Sequence, residues 1–131
     1  MYRGPDSYPR RIAVVGSREY PLPEAVRAFV TRCHQKYPEA ILVSGGTRGV
    51  DQTAEHQAMV VGMRTLILKA NWDLYGRKAG FLRNSEIVQN ADVVAAFWDG
   101  RSHDTKDTIE KAKATRLPVF VYGPRGKLLP N

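Results

Sequence analysis

The chain has 131 residues, a 43% apolar share and a formal charge of +7, the profile of one globular domain with an adequate core, whose charge reads either as a field for anionic partners or as an ordinary solvated surface. No apolar run approaches the roughly 20 residues needed to cross a bilayer, and the N-terminal stretch lacks the apolar segment of a signal peptide, so a cytoplasmic location with no membrane partner is the expectation. The single cysteine, Cys33, excludes an intrachain disulfide, and His34, His56 and His103 lack ligand spacing, so neither a metal nor a cofactor is expected.

Residues 1–10, MYRGPDSYPR, read as an extended leader because Pro5 and Pro9 disfavour helix. RIAVVG, ending in Gly16, is a short apolar run of the kind that forms a buried strand. Pro23 can open a helix at its first turn, and Ala25, Val26, Phe29, Val30 and Cys33 recur at helical spacing before Pro38 ends the segment. AILVSGG is a second strand. Residues 51–61 follow as a helix, with Ala54, Ala58 and Val61 on one face and Gly62 as its stop. RTLILKA is a third strand, 78–90 a helix carrying FLRNSEIV, DVVAAFW a fourth strand, 105–115 a helix and PVFVYG a fifth strand. Near-continuous apolar strands alternating with helices predict an α/β fold: a doubly wound, mainly parallel five-stranded Rossmann-like sheet with helices on both faces. A single domain over 11–123 and a C-terminal tail over 124–131 complete the expected organisation.

In such sheets ligands bind beyond the carboxyl ends of the strands. The residues there are Gly16, Ser17 and Arg18 after the first strand, Ser44 through Gly49 after the second, and Trp98, Asp99, Gly100, Arg101 and Ser102 after the fourth. In the second group Gly45, Gly46 and Gly49 can take positive φ and let a ligand approach the backbone. The helix that follows presents free N–H groups and a partial positive charge, and Arg48 adds a guanidinium. A Gly-rich turn alone also serves simply to turn the chain. Three such turns at one sheet edge favour a composite seat for an anionic ligand. Asp51 is either the cap of its helix or an acceptor for ribose hydroxyls or a base edge. Arg83 and Asn84 are a polar pair in an apolar helix, at the surface or reaching the pocket. Trp98 either caps the core or offers a face for base stacking. Residues 72–80, WDLYGRKAG, read as a loop with aromatics and cations that could fold over the site.

Four ordered motifs, GSR, SGGTRGVDQTAEHQA, YGRKAGFLRN and ADVVAAFWDGRSHDTKDTIEKA, together resemble the SLOG superfamily. It includes the DNA-processing protein DprA, the LOG cytokinin-activating phosphoribohydrolases and small stand-alone domains related to YpsA, the last being the most similar group. The resemblance covers 11–121. It implies a Rossmann-like fold, a nucleotide-like ligand and self-association into dimers or larger homo-oligomers. It assigns to the ligand pocket Gly16, Ser17, Arg18, Ser44, Gly45, Gly46, Gly49, Asp51, Arg83, Asn84, Gly100, Ser102 and Thr105.

The LOG signature ends in a catalytic Glu, and alignment on Thr105 puts Thr108 in its place. A hydroxyl cannot replace a carboxylate as general base. Asp107, one residue away and turned about 100° around the helix, is expected to face elsewhere. Asp104 stands where relatives usually have Gly; its carboxylate can occupy the helix terminus that a phosphate would take, which either weakens phosphate binding at that turn or favours a ligand that presents hydroxyls, and makes the Gly45–Gly49 turn the better phosphate seat. The leading expectation is a domain that binds a nucleotide or nucleotide derivative, with a ligand sensor as one form of that role. The alternatives are a LOG-type hydrolase of nucleoside phosphates, drawing on Arg83 with Asp51, Asp99 or Asp104, and DprA-like binding of single-stranded nucleic acid through Trp72, Tyr75, Trp98 and the positive charge.

Overall fold

The computed structural model describes residues 9–130, so the expected leader falls largely outside the described residues. The elements are β1 (Arg11–Gly16), α1 (Pro23–Lys36), β2 (Ile41–Ser44), α2 (Val50–Val61), β3 (Arg64–Ile67), α3 (Trp72–Tyr75), a short 3₁₀ turn (Gly76–Lys78), α4 (Ala79–Gln89), β4 (Val93–Phe97), α5 (His103–Ala114) and β5 (Val119–Tyr122). The sheet is parallel throughout these strands, in the order β3-β2-β1-β4-β5. The direction of winding reverses between β1 and β4, which opens the crevice that doubly wound sheets use for ligands.

Alternation along the strands builds two cores. Ile12, Val14, Leu42, Ala95 and Phe97 face α1 and α2, meeting Val26, Val30, Ala54 and Ala58. Ala13, Val15, Val43, Val94 and Ala96 face α4 and α5, meeting Ile87, Val88, Ile109 and Ala112. Pro23 sits in the first turn of α1, where its missing N–H costs nothing, and Val26, Val30 and Cys33 form its buried stripe. Two main helices per face cannot cover five strands. Phe120 on β5, and Thr65 and Ile67 on β3, are left exposed.

Three local features differ from the expectations. The stretch expected as a loop after β3 contains α3, whose start is capped by the Asn71 carboxamide accepting from the Leu74 amide at 3.1 Å. Helix α5 begins two residues earlier than its apolar pattern suggests because Ser102 caps it, its Oγ accepting from the Thr105 amide at 3.2 Å. Residues 124–130 fold back on β5: Leu128 bridges Tyr122 antiparallel, and the Leu129 amide donates to the Val121 carbonyl at 2.7 Å. Among the described residues no helix is long and apolar enough to cross a membrane, and no group of three or more His, Cys, Asp or Glu side chains is placed to hold a metal ion.

Candidate ligand-binding rim

The turns after β1, β2 and β4 do converge. The Ser17 carbonyl accepts from the Val50 amide at 3.3 Å, joining the first turn to the start of α2. The Ser17 hydroxyl, fully buried, accepts from the Asp99 amide at 3.1 Å, joining the first turn to the third. Arg83 reaches across from α4: its Nη1 donates to the Gly45 carbonyl at 2.7 Å and its Nη2 lies 3.3 Å from an Asp104 carboxylate oxygen. One network thus spans β1, β2, β4, α4 and α5.

The same network uses up most of the donors that the sequence pattern offers to a ligand. The Gly46 amide donates to Glu55 at 2.9 Å, and the Ser44 hydroxyl donates to the same carboxylate oxygen at 2.5 Å. The Thr47 amide and hydroxyl donate to Asp51 at 3.3 and 2.8 Å. Within the first turn of α2, the Val50, Gln52 and Thr53 amides go to the carbonyls of Ser17, Thr47 and Gly49. At the anion seat expected over Gly45–Gly49, the Ser44, Gly46 and Thr47 donors are therefore engaged by the protein's own carboxylates. Asp51 serves as the local acceptor for Thr47, and it is only 4% exposed. Glu55 went unnoticed in the sequence, although a residue four positions after Asp51 shares its helix face and leans toward the preceding turn.

Three of the glycines answer to close approach. A β-carbon at Gly49 would stand 2.6 Å from the Ser17 and Arg18 carbonyl oxygens, and the residue's φ is +85°. A β-carbon at Gly45 would lie 2.8 Å from both Arg83 Nη1 and an Asp51 oxygen. Gly16 likewise packs against the Phe97 carbonyl and the Val50 side chain. Gly46 lies beside Ile67 and Lys69, and the Cβ direction at Gly100 opens to solvent.

Arg83 is 2% exposed and Asn84 equally buried. Arg83 Nε donates to Asn84 Oδ1 at 2.9 Å, and Asn84 Nδ2 donates to Asp104 at 2.8 Å and to Asp107 at 3.1 Å. Asp107, expected to turn away, joins the cluster because it shares a helix face with Asp104 three residues earlier; Lys111 pairs with it at 2.8 Å. Thr105 and Thr108 are buried beside them. Thr105 Oγ1 lies 3.0 Å from the Ser102 hydroxyl. The space enclosed by Val15, Gly16, Asp51, Arg83, Asn84, Asp104, Thr105 and Thr108 is about 10 Å³, room for one water.

Burial raises the Asp51 carboxyl to about 6; the Thr47 donors and Arg83 pull it down, and Glu55 pushes it further up. One Asp51 oxygen has no partner among the described residues. Asp99 behaves in the opposite way. Partial burial raises its pKa, but the amides of Arg101 and Ser102, donating at 2.8 and 2.9 Å, hold it below the usual carboxylate range. The Trp98 indole N–H donates to the Ser102 carbonyl at 3.0 Å, and its ring packs on the α4/α5-side core. Of the catalytic candidates, Arg83, Asp51 and Asp99 are thus all engaged in holding the turns together.

What remains accessible lies around this sealed centre. The Asp104 side chain is 47% exposed although Arg83 and Asn84 fix it. Trp72, 50% exposed, lies against Gly80: its ring edge and an Asp104 oxygen stand 3.3 and 3.5 Å from where a Gly80 β-carbon would be. Arg18, Lys69, Arg77, Lys78 and Arg101 are exposed at the same edge of the sheet. Arg48 is exposed too and meets Glu19 at 3.0 Å. Arg48→Ala is therefore expected to change stability by less than about 0.5 kcal/mol in chemical denaturation.

A five-stranded parallel sheet in the order β3-β2-β1-β4-β5, with helices on both faces and turns converging at its carboxyl edge, defines a Rossmann-like α/β domain. The chain belongs to the YspA, cpYpsA-related SLOG family, whose model matches residues 10–75. It is 34% identical over 125 residues to the Gene 61 protein of Mycobacterium phage D29, covering 88% of this chain and 98% of that protein. Among solved structures it is similar to DNA processing protein A from Helicobacter pylori, described for its single-stranded DNA binding mode, at TM-score 0.70 and 22% identity over 87% of this chain and 65% of that one. The Streptococcus pneumoniae DprA gives TM-score 0.71 at 22% identity over 86% of this chain and 50% of that one. TM1055, a structural genomics target, gives 0.70 at 18% identity over 84% of this chain and 72% of that one. This chain therefore spans about half to two thirds of the DprA chains, and at these identities the likeness concerns the fold.

Proposed function

We propose that the rim binds a nucleotide or nucleotide derivative, held by its ribose hydroxyls and base rather than by a phosphate buried in the Gly45–Gly49 turn. The observation that carries this is Asp104: a half-exposed carboxylate, fixed by two buried side chains, at a helix start and beside an exposed tryptophan. A fixed carboxylate is a pure acceptor, suited to a pair of hydroxyls and hostile to phosphate. The Trp72 ring offers a stacking face. Exposed Arg18, Lys69 and Arg101 supply cations for a ligand phosphate left in solvent, which suits the chain's +7 charge.

The test is thermal shift with a panel of ribonucleotides, their dideoxy counterparts, free bases and inorganic phosphate. A ligand at about 100 times its dissociation constant adds about 2.7 kcal/mol. Ribonucleotides are expected to raise Tm, dideoxynucleotides and phosphate to fail, and Trp72→Ala to weaken binding about tenfold without lowering the Tm of the free protein. Equal shifts from ribo- and dideoxynucleotides, or none from either at millimolar concentration, would remove this reading.

Exposed Trp72 and Tyr75 flanked by cations also suit a single nucleic-acid strand, as the DNA-binding DprA neighbour suggests. That reading predicts steeply salt-dependent binding to an oligodeoxynucleotide that mononucleotides do not displace. Hydrolysis of the LOG type is disfavoured by Thr108 and by the sealed position of Asp51.

A further inference from the structure

At the amino edge of the sheet, opposite the rim, lies a groove of about 640 Å³ between α1 and the bare side of β5. Its size is that of small-molecule sites. Ile12, Val93, Phe29, Tyr37, Phe120 and Tyr122 supply most of its apolar lining. Phe120 is 42% exposed, an aromatic on a parallel strand where such sheets are normally covered. Arg32 and Lys36, one helical turn apart on α1, also line the groove and pair with no carboxylate among the described residues. The Lys36 ammonium lies 5.5 Å from the Tyr37 ring centroid. Arg32 lies close enough to Tyr122 and Cys33 to oppose the upward push that burial gives both. The acidic group of the lining, Asp92, accepts from the Arg10 and Arg11 amides at 2.9 Å each. The groove is thus aromatic in body and cationic along one wall.

We propose that it is a binding site for a small amphiphilic anion: an aryl or acyl body against the aromatic walls, and one carboxylate, sulfonate or phosphate head at Arg32 and Lys36. The charge pattern selects this occupant, since a neutral apolar molecule would leave two cations beside it with no carboxylate partner among the described residues. The site is separate from the rim and does not depend on the function proposed there.

Fluorescence titration of the whole chain with anilinonaphthalenesulfonate tests it, alongside phenylnaphthylamine, the same rings without the sulfonate. One saturable site per chain is expected, with the sulfonate bound about tenfold more tightly, equivalent to about 1.4 kcal/mol. Combined Arg32→Glu and Lys36→Glu should abolish that preference and leave phenylnaphthylamine binding intact. Phe120→Thr, which keeps a strand-forming residue, should weaken both probes at least fivefold at unchanged Tm. Non-saturating binding, indifference to these substitutions, or a concentration-dependent dimer in sedimentation that Phe120→Thr dissolves would each overturn the proposal, the last by giving the groove to a second copy of the chain.

Discussion

Replacing Arg83 with methionine is expected to cost the fold about 3 kcal/mol or more. Methionine keeps the unbranched apolar stem, so the loss is chiefly that of the guanidinium. Without it the Gly45 carbonyl and Asn84 Oδ1 lose their buried donor, and the cation that offsets the burial of Asp51 disappears. Breaking a buried ionic network by removing one partner typically costs about 3–5 kcal/mol, because the groups left behind remain unpaired. The arm to half-exposed Asp104 adds little, since solvent screens it. Urea denaturation checks the result: the midpoint should fall at unchanged m-value. Arg83→Lys should recover only part of the loss, because an ammonium cannot reproduce the fork that reaches three partners. A loss below about 1 kcal/mol would show that the arginine is not a brace, and would return it to the role of a ligand-facing group.

The second large effect concerns pH. With its folded pKa raised from 3.8 to about 6, Asp51 favours the folded state only while protonated. Its contribution is fully present below the unfolded pKa and is lost as pH rises from about 4 through 6. One unit is worth about 1.4 kcal/mol, so the loss is on the order of 2–3 kcal/mol. This opposes the usual behaviour of paired carboxylates, which stabilise as pH rises. Asp51→Asn keeps an oxygen for the Thr47 donors and removes the titration. The variant is expected to gain about 2 kcal/mol on the parent between pH 4 and pH 7, measured by denaturation at each pH. A difference that stays flat across that range would mean that the carboxylate is already hydrated or paired in the folded protein.

The fold was legible because its signals are local. Runs such as RIAVVG and VVAAF have the length and apolarity of strands buried on both faces, and the helices between them show their own period. The convergence of the three turns followed from the winding rule rather than from any residue. What could not be read was which groups would satisfy the turns. A glycine that admits a phosphate and one that admits a neighbouring backbone look alike in sequence, and Gly49 proved to be the second kind. Arg83 stood out as a polar residue in an apolar helix, yet its partners, Gly45 and Asp104, lie 38 and 21 positions away. The angular argument for Asp107 compared it with Thr108; the relevant comparison was with Asp104, since one amide from α4 lies astride both. Trp72 was noticed, but its place beside Asp104 depends on α3, a single turn of helix too short to show a period.

The returning tail has a bearing on how the molecule meets its neighbours. By closing hydrogen bonds along the outer margin of β5, residues 127–129 cover the main-chain groups that could otherwise template growth by a foreign strand. At the other margin β3 is short and begins with Arg64, with Lys69 just beyond its end, and buried charge in a stacked ribbon is costly. One flank is satisfied and the other is guarded, so association of this domain is steered toward side-chain surfaces and away from endless sheet extension.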